Sequence, residues 1–136
     1  MALDSLDHFF IYAQDLEASR GFYERVLGLE VGYRPPFGFD GYWLYLGGRP
    51  VVHLGTGEPS PELEYYLGQR KAGENVHTGA LDHIAFRCTA FEAFRSRLDA
   101  DGIGYRHRVV PDMRLDQLFI KDPDGLTIEL NFFPET

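Results

Sequence analysis

The stretch Thr127-Ile128-Glu129-Leu130-Asn131-Phe132, entered through the turn Lys121-Asp122-Pro123-Asp124-Gly125, reads as a strand with a carboxylate at its centre. Apolar residues dominate it, so Glu129 is the anomaly. A charge in a buried strand is costly unless a partner offsets it, and a metal ion is one such partner. The anomaly recurs in Leu6-Asp7-His8-Phe9-Phe10, in Val51-Val52-His53-Leu54 and in Leu81-Asp82-His83-Ile84-Ala85-Phe86. Four strand-like runs each carry one residue of a metal-ligating type.

The chain repeats itself. Leu6 to Ala13 reads as a strand, and Asp15 as the start of a helix over Leu16 to Val26 that Gly28 ends. Leu29 to Arg34, Tyr42 to Leu46 and Val51 to Leu54 read as strands, with Gly47-Gly48 as a tight turn. After a polar stretch, Gly55 to Gly79, in which Glu62 to Lys71 has helical character, the pattern restarts. Leu81-Asp82-His83 repeats Leu6-Asp7-His8 at 81 − 6 = 75, and Phe91 to Arg95 repeats Leu16 to Arg20 at the same offset. Leu118-Phe119-Ile120 falls on Trp43-Leu44-Tyr45. Glu129 falls on His53 at 129 − 53 = 76, the extra residue being assigned to the turn Asp122 to Gly125. Each half is strand, helix, then three strands, and an internal repeat governs the fold. A pseudo-twofold pairing of two such halves sets His8 against His83 and His53 against Glu129. One histidine on an apolar strand is ordinarily a satisfied core residue, whereas four ligand types at symmetric positions point to a metal site.

Composition is consistent with this. At 136 residues the chain is sized for one domain, spanning 1–136, with module 1 at about 4–54, a linker at about 55–79 and module 2 at about 80–134. The net charge of −8 argues against nucleic acid and against an anionic membrane as partners. Cys88 is the only cysteine, so no internal disulfide forms, and a reducing, cytoplasmic location is expected. It reads as a packed thiol, not a nucleophile. No signal-peptide pattern opens the chain, and no apolar run approaches the roughly 18 residues of a membrane span.

The Leu-Asp-His triplets at 6–8 and 81–83, Phe22-Tyr23 followed by Leu27-Gly28-Leu29, and Asp122-Pro123-Asp124-Gly125 leading into Ile128-Glu129-Leu130 resemble the vicinal oxygen chelate superfamily. That superfamily includes glyoxalase I, methylmalonyl-CoA epimerase, extradiol dioxygenases, and fosfomycin and bleomycin resistance proteins. The resemblance covers nearly the whole chain except Gly55 to Gly79. It implies an α+β fold of two tandem βαβββ modules forming a cupped, eight-stranded mixed sheet, and a homodimer. It further implies one divalent transition metal per site, Zn, Ni, Fe, Co or Mn, with His8, His83 and Glu129 as ligands. His53 is then a fourth ligand or an acid–base group, and His53 and Glu129 are the candidate catalytic residues. The metal acts as a Lewis acid toward a small substrate with two adjacent oxygens.

Three readings of the activity follow from the resemblance. Glyoxalase-like lyase or isomerase chemistry leads, although the lyases use a carboxylate pair and position 53 here is His. Extradiol ring cleavage by Fe or Mn is the rival. Its signature places a Tyr ten residues before the Glu ligand, and residue 119 is Phe. A metal-free, drug-binding protein of the bleomycin-resistance type is the third. Arg106-His107-Arg108 reads as a solvated strand edge or as a holder for an anionic substrate. Phe37, Phe39, Tyr42, Trp43 and Tyr45 read as packing or as the lining of an apolar pocket. Tyr65-Tyr66 reads as part of a lid or a linker, and His77 as a solvent-exposed loop residue.

Overall fold

The computed structural model describes residues 5–56, 60–62, 81 and 83–134. The expectations for Asp82, Tyr65-Tyr66, His77 and most of Glu62 to Lys71 therefore lie outside the described residues. The chain divides into two compact units, 1–76 and 77–136.

The first unit contains β1 (Phe9–Ala13), α1 (Leu16–Gly21), β2 (Glu30–Gly32), β3 (Gly41–Leu46) and β4 (Arg49–Thr56). Asp15 caps α1, its carboxylate accepting from Ala18 N at 3.0 Å. The expected helix to Val26 is present but changes pitch: Phe22–Val26 forms a π-helical turn that buries Phe22, Tyr23 and Val26. The four strands form one sheet ordered β1-β4-β3-β2, with β1 parallel to β4 and the other pairs antiparallel. Gly47 and Gly48 join β3 to β4 with φ of 59° and 82°. A two-residue hairpin with both central φ values positive favours glycine at each.

The second unit contains β5 (His83–Cys88), α2 (Phe91–Ala100), β6 (Arg106–Val110), β7 (Leu115–Lys121) and β8 (Thr127–Phe132). Its sheet is ordered β5-β8-β7-β6, again with one parallel pair, β5 and β8. The chain is thus α+β, with two βαβββ units of like topology.

The register shows how close the two halves are. Phe9 pairs with Val52, and Ile84, 75 residues after Phe9, pairs with Ile128, 76 after Val52. One expectation shifts. Trp43 pairs with His53 and Phe119 with Glu129, so Phe119, not Leu118, takes the place of Trp43 (119 − 43 = 76). Nor does the extra residue come from the Asp122–Gly125 turn. Between the equivalent pairs Leu44–Val52 and Ile120–Ile128, residues 45–51 and 121–127 give both hairpins seven residues. The insertion precedes β7.

In each sheet, strand alternation sorts residues onto two faces. Leu44, Val52 and Leu54 are buried in the first unit, and Leu118, Ile120, Ile128, Leu130 and Phe132 in the second. Phe132 meets Phe91 and Phe94 of α2 edge-on, with ring centroids 5.3 and 5.6 Å apart. Cys88 is half-buried, and burial pushes its thiol up to about 11, so it stays protonated near neutral pH.

The turn into β8 is fixed by Asp122, which is 4% exposed. One carboxylate oxygen accepts from Asp124 N at 2.9 Å and from Leu126 N at 2.8 Å. Asp122→Ala leaves both buried amides without that acceptor. It is expected to cost about 2 kcal/mol, read as a fall in thermal midpoint against wild type.

Candidate metal centre

The register brings the singled-out residues together in two pairs, one per unit. In the first, His8 immediately precedes β1, one residue before the partner of Val52, and His53 lies one residue beyond Val52. The two positions share a face, and the His8 and His53 rings stack with centroids 3.6 Å apart and planes 11° apart. In the second, His83 pairs with Thr127, two residues before Glu129, and His83 Nε2 lies 3.7 Å from Glu129 Oε1. Among the described residues, no group of three or more His, Cys, Asp or Glu side chains gathers in a way that could hold a metal ion.

The donor chemistry fits a transition metal unevenly. His8 Nδ1 is bonded to Asp7 Oδ2 at 2.6 Å. This bond with His8 also holds the Asp7 carboxyl below its usual range. An acid on one ring nitrogen leaves the other, Nε2, with its lone pair for a metal, the usual support for a ligating His. His83 and Glu129 place a nitrogen and an oxygen a little farther apart than the roughly 3.4 Å between two donors about 2.1 Å from a tetrahedral ion, so the pair could hold one after a small adjustment.

His53 is different. It is 3% exposed and lies on β4 between its neighbours, stacked on Trp43 at 4.0 Å as well as on His8. Its Nε2 faces the carbonyl of Pro50 at 3.1 Å, an acceptor, so Nε2 carries the proton. Nδ1 is left as a buried lone pair with no hydrogen-bond partner among the described residues. Burial and the neighbouring His8 push the imidazole down to about 4, so it is neutral near neutral pH. Imidazole lone pairs lie in the ring plane. Because the two rings are nearly parallel, their in-plane lone pairs do not converge on one point. In this arrangement His8 would hold an ion with His53 as a neutral acceptor beside it.

The aromatic set also divides. Phe37 packs on Trp43 and Phe39, centroids 6.0 and 5.8 Å apart, and Phe10 and Tyr12 join this cluster on the His53 face. A Cβ on Gly55 would come within 2.4 Å of the Phe10 ring, so glycine there lets Phe10 lie against β4. Tyr42 and Tyr45 do other work: the Tyr42 hydroxyl donates to Glu17 and that of Tyr45 to the Tyr33 carbonyl. The basic triplet splits by strand alternation. His107 bonds Asp116 at 2.8 Å. Arg106 and Arg108 turn to the Glu129 face, with guanidinium carbons 4.4 and 5.5 Å from the Phe119 ring centroid.

Residues that the sequence alone did not single out complete that face. Glu129 Oε2 accepts from Asn131 at 2.8 Å, Asn131 from Gln117 at 2.9 Å, and Gln117 from Arg108 at 2.7 Å. Glu129 and Asn131 at alternate positions of β8, with Gln117 paired to Asn131 on β7, were the available signal.

Residues 5–130 match the family model for the Glyoxalase/Bleomycin resistance protein/Dioxygenase superfamily. The chain belongs to this superfamily. It is 33% identical over 131 residues to Glyoxylase I 4 of Arabidopsis thaliana, covering 94% of this chain and 70% of that protein. In fold it is similar to a putative glyoxalase family protein from Bacillus anthracis, with a TM-score of 0.72 and 21% identity over 98% of each chain. It is similar also to the fosfomycin resistance protein FosX from Listeria monocytogenes, with a TM-score of 0.71 and 16% identity over 97% of this chain and 95% of that one. These superfamily relations agree with the duplicated βαβββ topology. No helix among the described residues is long and apolar enough to cross a membrane.

Proposed function

We propose that this protein is a divalent-metal-dependent enzyme acting on a small substrate with vicinal oxygens by glyoxalase-like lyase or isomerase chemistry. His8, His83 and Glu129 are its metal ligands and His53 a neutral acceptor. The observation that carries this reading is the matched register: each module sets two ligand-type residues on one face, at equivalent positions of its parallel strand pair. The relative from Arabidopsis thaliana, named as a glyoxylase I, supports the same chemistry. The ion, Zn, Ni, Co, Fe or Mn, supplies Lewis acidity toward the substrate's oxygens.

The chain's own residues supply the rest. Asp7 holds the His8 ring. Arg106 and Arg108, on the Glu129 face, suit a substrate with an anionic group. Phe119 lies directly across from Glu129 and has no hydroxyl to donate, which favours the lyase or isomerase reading over extradiol cleavage. The protein acts as a homodimer in the cytoplasm on this reading.

The test is metal content of protein prepared without an affinity tag or chelator, followed by turnover assays. About one ion per chain, with lactoylglutathione lyase or related isomerase activity under argon with Ni, Zn or Co, is the expected result. Oxygen consumption with catechols that requires Fe would replace this reading with the dioxygenase. No metal bound or taken up would replace it with a metal-free binding protein.

A further inference from the structure

A polar row crosses the second sheet. Arg108 pairs with Gln117 and Gln117 with Asn131 in register across β6, β7 and β8, and Asn131 stands two residues after Glu129 on the same face. Arg108 Nε donates to Gln117 Oε1 at 2.7 Å, Gln117 Nε2 to Asn131 Oδ1 at 2.9 Å, and Asn131 Nδ2 to Glu129 Oε2 at 2.8 Å. The row starts at a group that only donates and ends at one that only accepts. The two amides between them have one orientation that keeps all three bonds.

Stability alone does not account for the row. Gln117 is 5% exposed, and apolar residues of the same shape at both amide positions would be close to neutral. Direction is what the row supplies. Phe119, the residue opposite Glu129, offers no hydrogen-bond donor, so the donor comes from along the strand.

We infer that Asn131, held by Gln117 and Arg108, is a positioning residue for Glu129: it ties down Oε2 and leaves Oε1, the oxygen nearer His83, as the single oxygen offered to a cation. This rests on reading Glu129 as a metal ligand. A carboxylate with both oxygens loose can swing or chelate through both, and one tied oxygen removes both options.

Cobalt(II) is the probe. Its affinity by competition with a chelator, its visible spectrum when bound, and the thermal midpoint of the metal-free protein are read for wild type, Asn131→Leu, Gln117→Glu and Glu129→Ala. Gln117→Glu still accepts from Arg108 but no longer donates to Asn131, so it draws the Asn131 amide away from Glu129. The expected result is a loss of affinity of about 10- to 100-fold in Asn131→Leu, a smaller loss in Gln117→Glu, and shifted Co(II) bands in both. Metal-free midpoints fall modestly in both relay variants, because each leaves a buried amide group unpaired. Affinity and spectrum are therefore read at a temperature where every variant is folded. Glu129→Ala binds no Co(II). Should Asn131→Leu fail to fold, Gln117→Glu carries the same comparison. Wild-type affinity and spectrum in the folded relay variants, with binding lost in Glu129→Ala, overturn the positioning role and leave Glu129 a ligand. No Co(II) binding by wild type overturns both.

Discussion

Glu129→Ala is expected to abolish metal-dependent turnover and to lower metal affinity by more than the roughly 100-fold that follows loss of an outer-shell partner. The reason is charge. Of the three proposed ligands, only Glu129 brings a formal negative charge; the imidazoles bind as neutral donors. A dication held by two imidazoles alone keeps its full charge, whereas a carboxylate ligand offsets part of it. The effect on the fold is expected to be small. Glu129 is partly exposed, and its loss leaves Asn131 Nδ2 without one acceptor, a cost of about 1 kcal/mol. The pair of readings, metal lost and fold kept, separates a ligand from a structural carboxylate. It is checked by elemental analysis beside a thermal melt in chelator. A variant that retains its metal would remove Glu129 from the ligand set.

The architecture was legible because it is written twice. A triplet ending in histidine, a helix after it and a histidine or carboxylate in the last strand recur at nearly constant offset, and the two sheets bear out the strand order. Offsets are less legible at the level of single residues. Spacing alone cannot say which loop takes up an insertion, so it sets Leu118 against Trp43 and assigns the extra residue to the wrong turn. The π-helical turn at Phe22–Val26 was not legible either. Its apolar spacing reads as α-helix, and the change of pitch comes from seating Phe22, Tyr23 and Val26 in the core.

At the candidate site, residue types were legible and relations were not. His8, His53, His83 and Glu129 stand out as polar residues in apolar strands. That His53 would stack on His8 and expose the conflict between two nearly parallel rings and one ion depends on side-chain torsions, which no spacing encodes. The basic triplet shows the converse. Alternation along a strand already sends His107 away from Arg106 and Arg108, and that separation was there to be read.

Leu118→Ala is expected to destabilise the fold by about 3 kcal/mol, more than either Asp122→Ala or Glu129→Ala. Leu118 is 0% exposed and pairs across β7 and β8 with Leu130, which is 1% exposed. Truncating a buried leucine loses its transfer free energy and leaves a cavity that a sheet, held in register on both sides, is slow to collapse into. For a chain of this length the thermal midpoint should fall by about 10 °C. Val109→Ala, at a position 53% exposed on the neighbouring strand β6, should change it little and serves as the control. The same alternation that buries Leu118 puts Gln117 and Phe119 on the Glu129 face, so the leucine touches the apolar side of the sheet and the chemistry lies on the other. Leu118→Ala should therefore lower stability while leaving the metal affinity of the folded fraction near wild type. Glu129→Ala should do the reverse. Metal affinity falling in parallel with stability in Leu118→Ala would mean that the two faces are coupled through the strand, and the division of labour drawn from the register would fail.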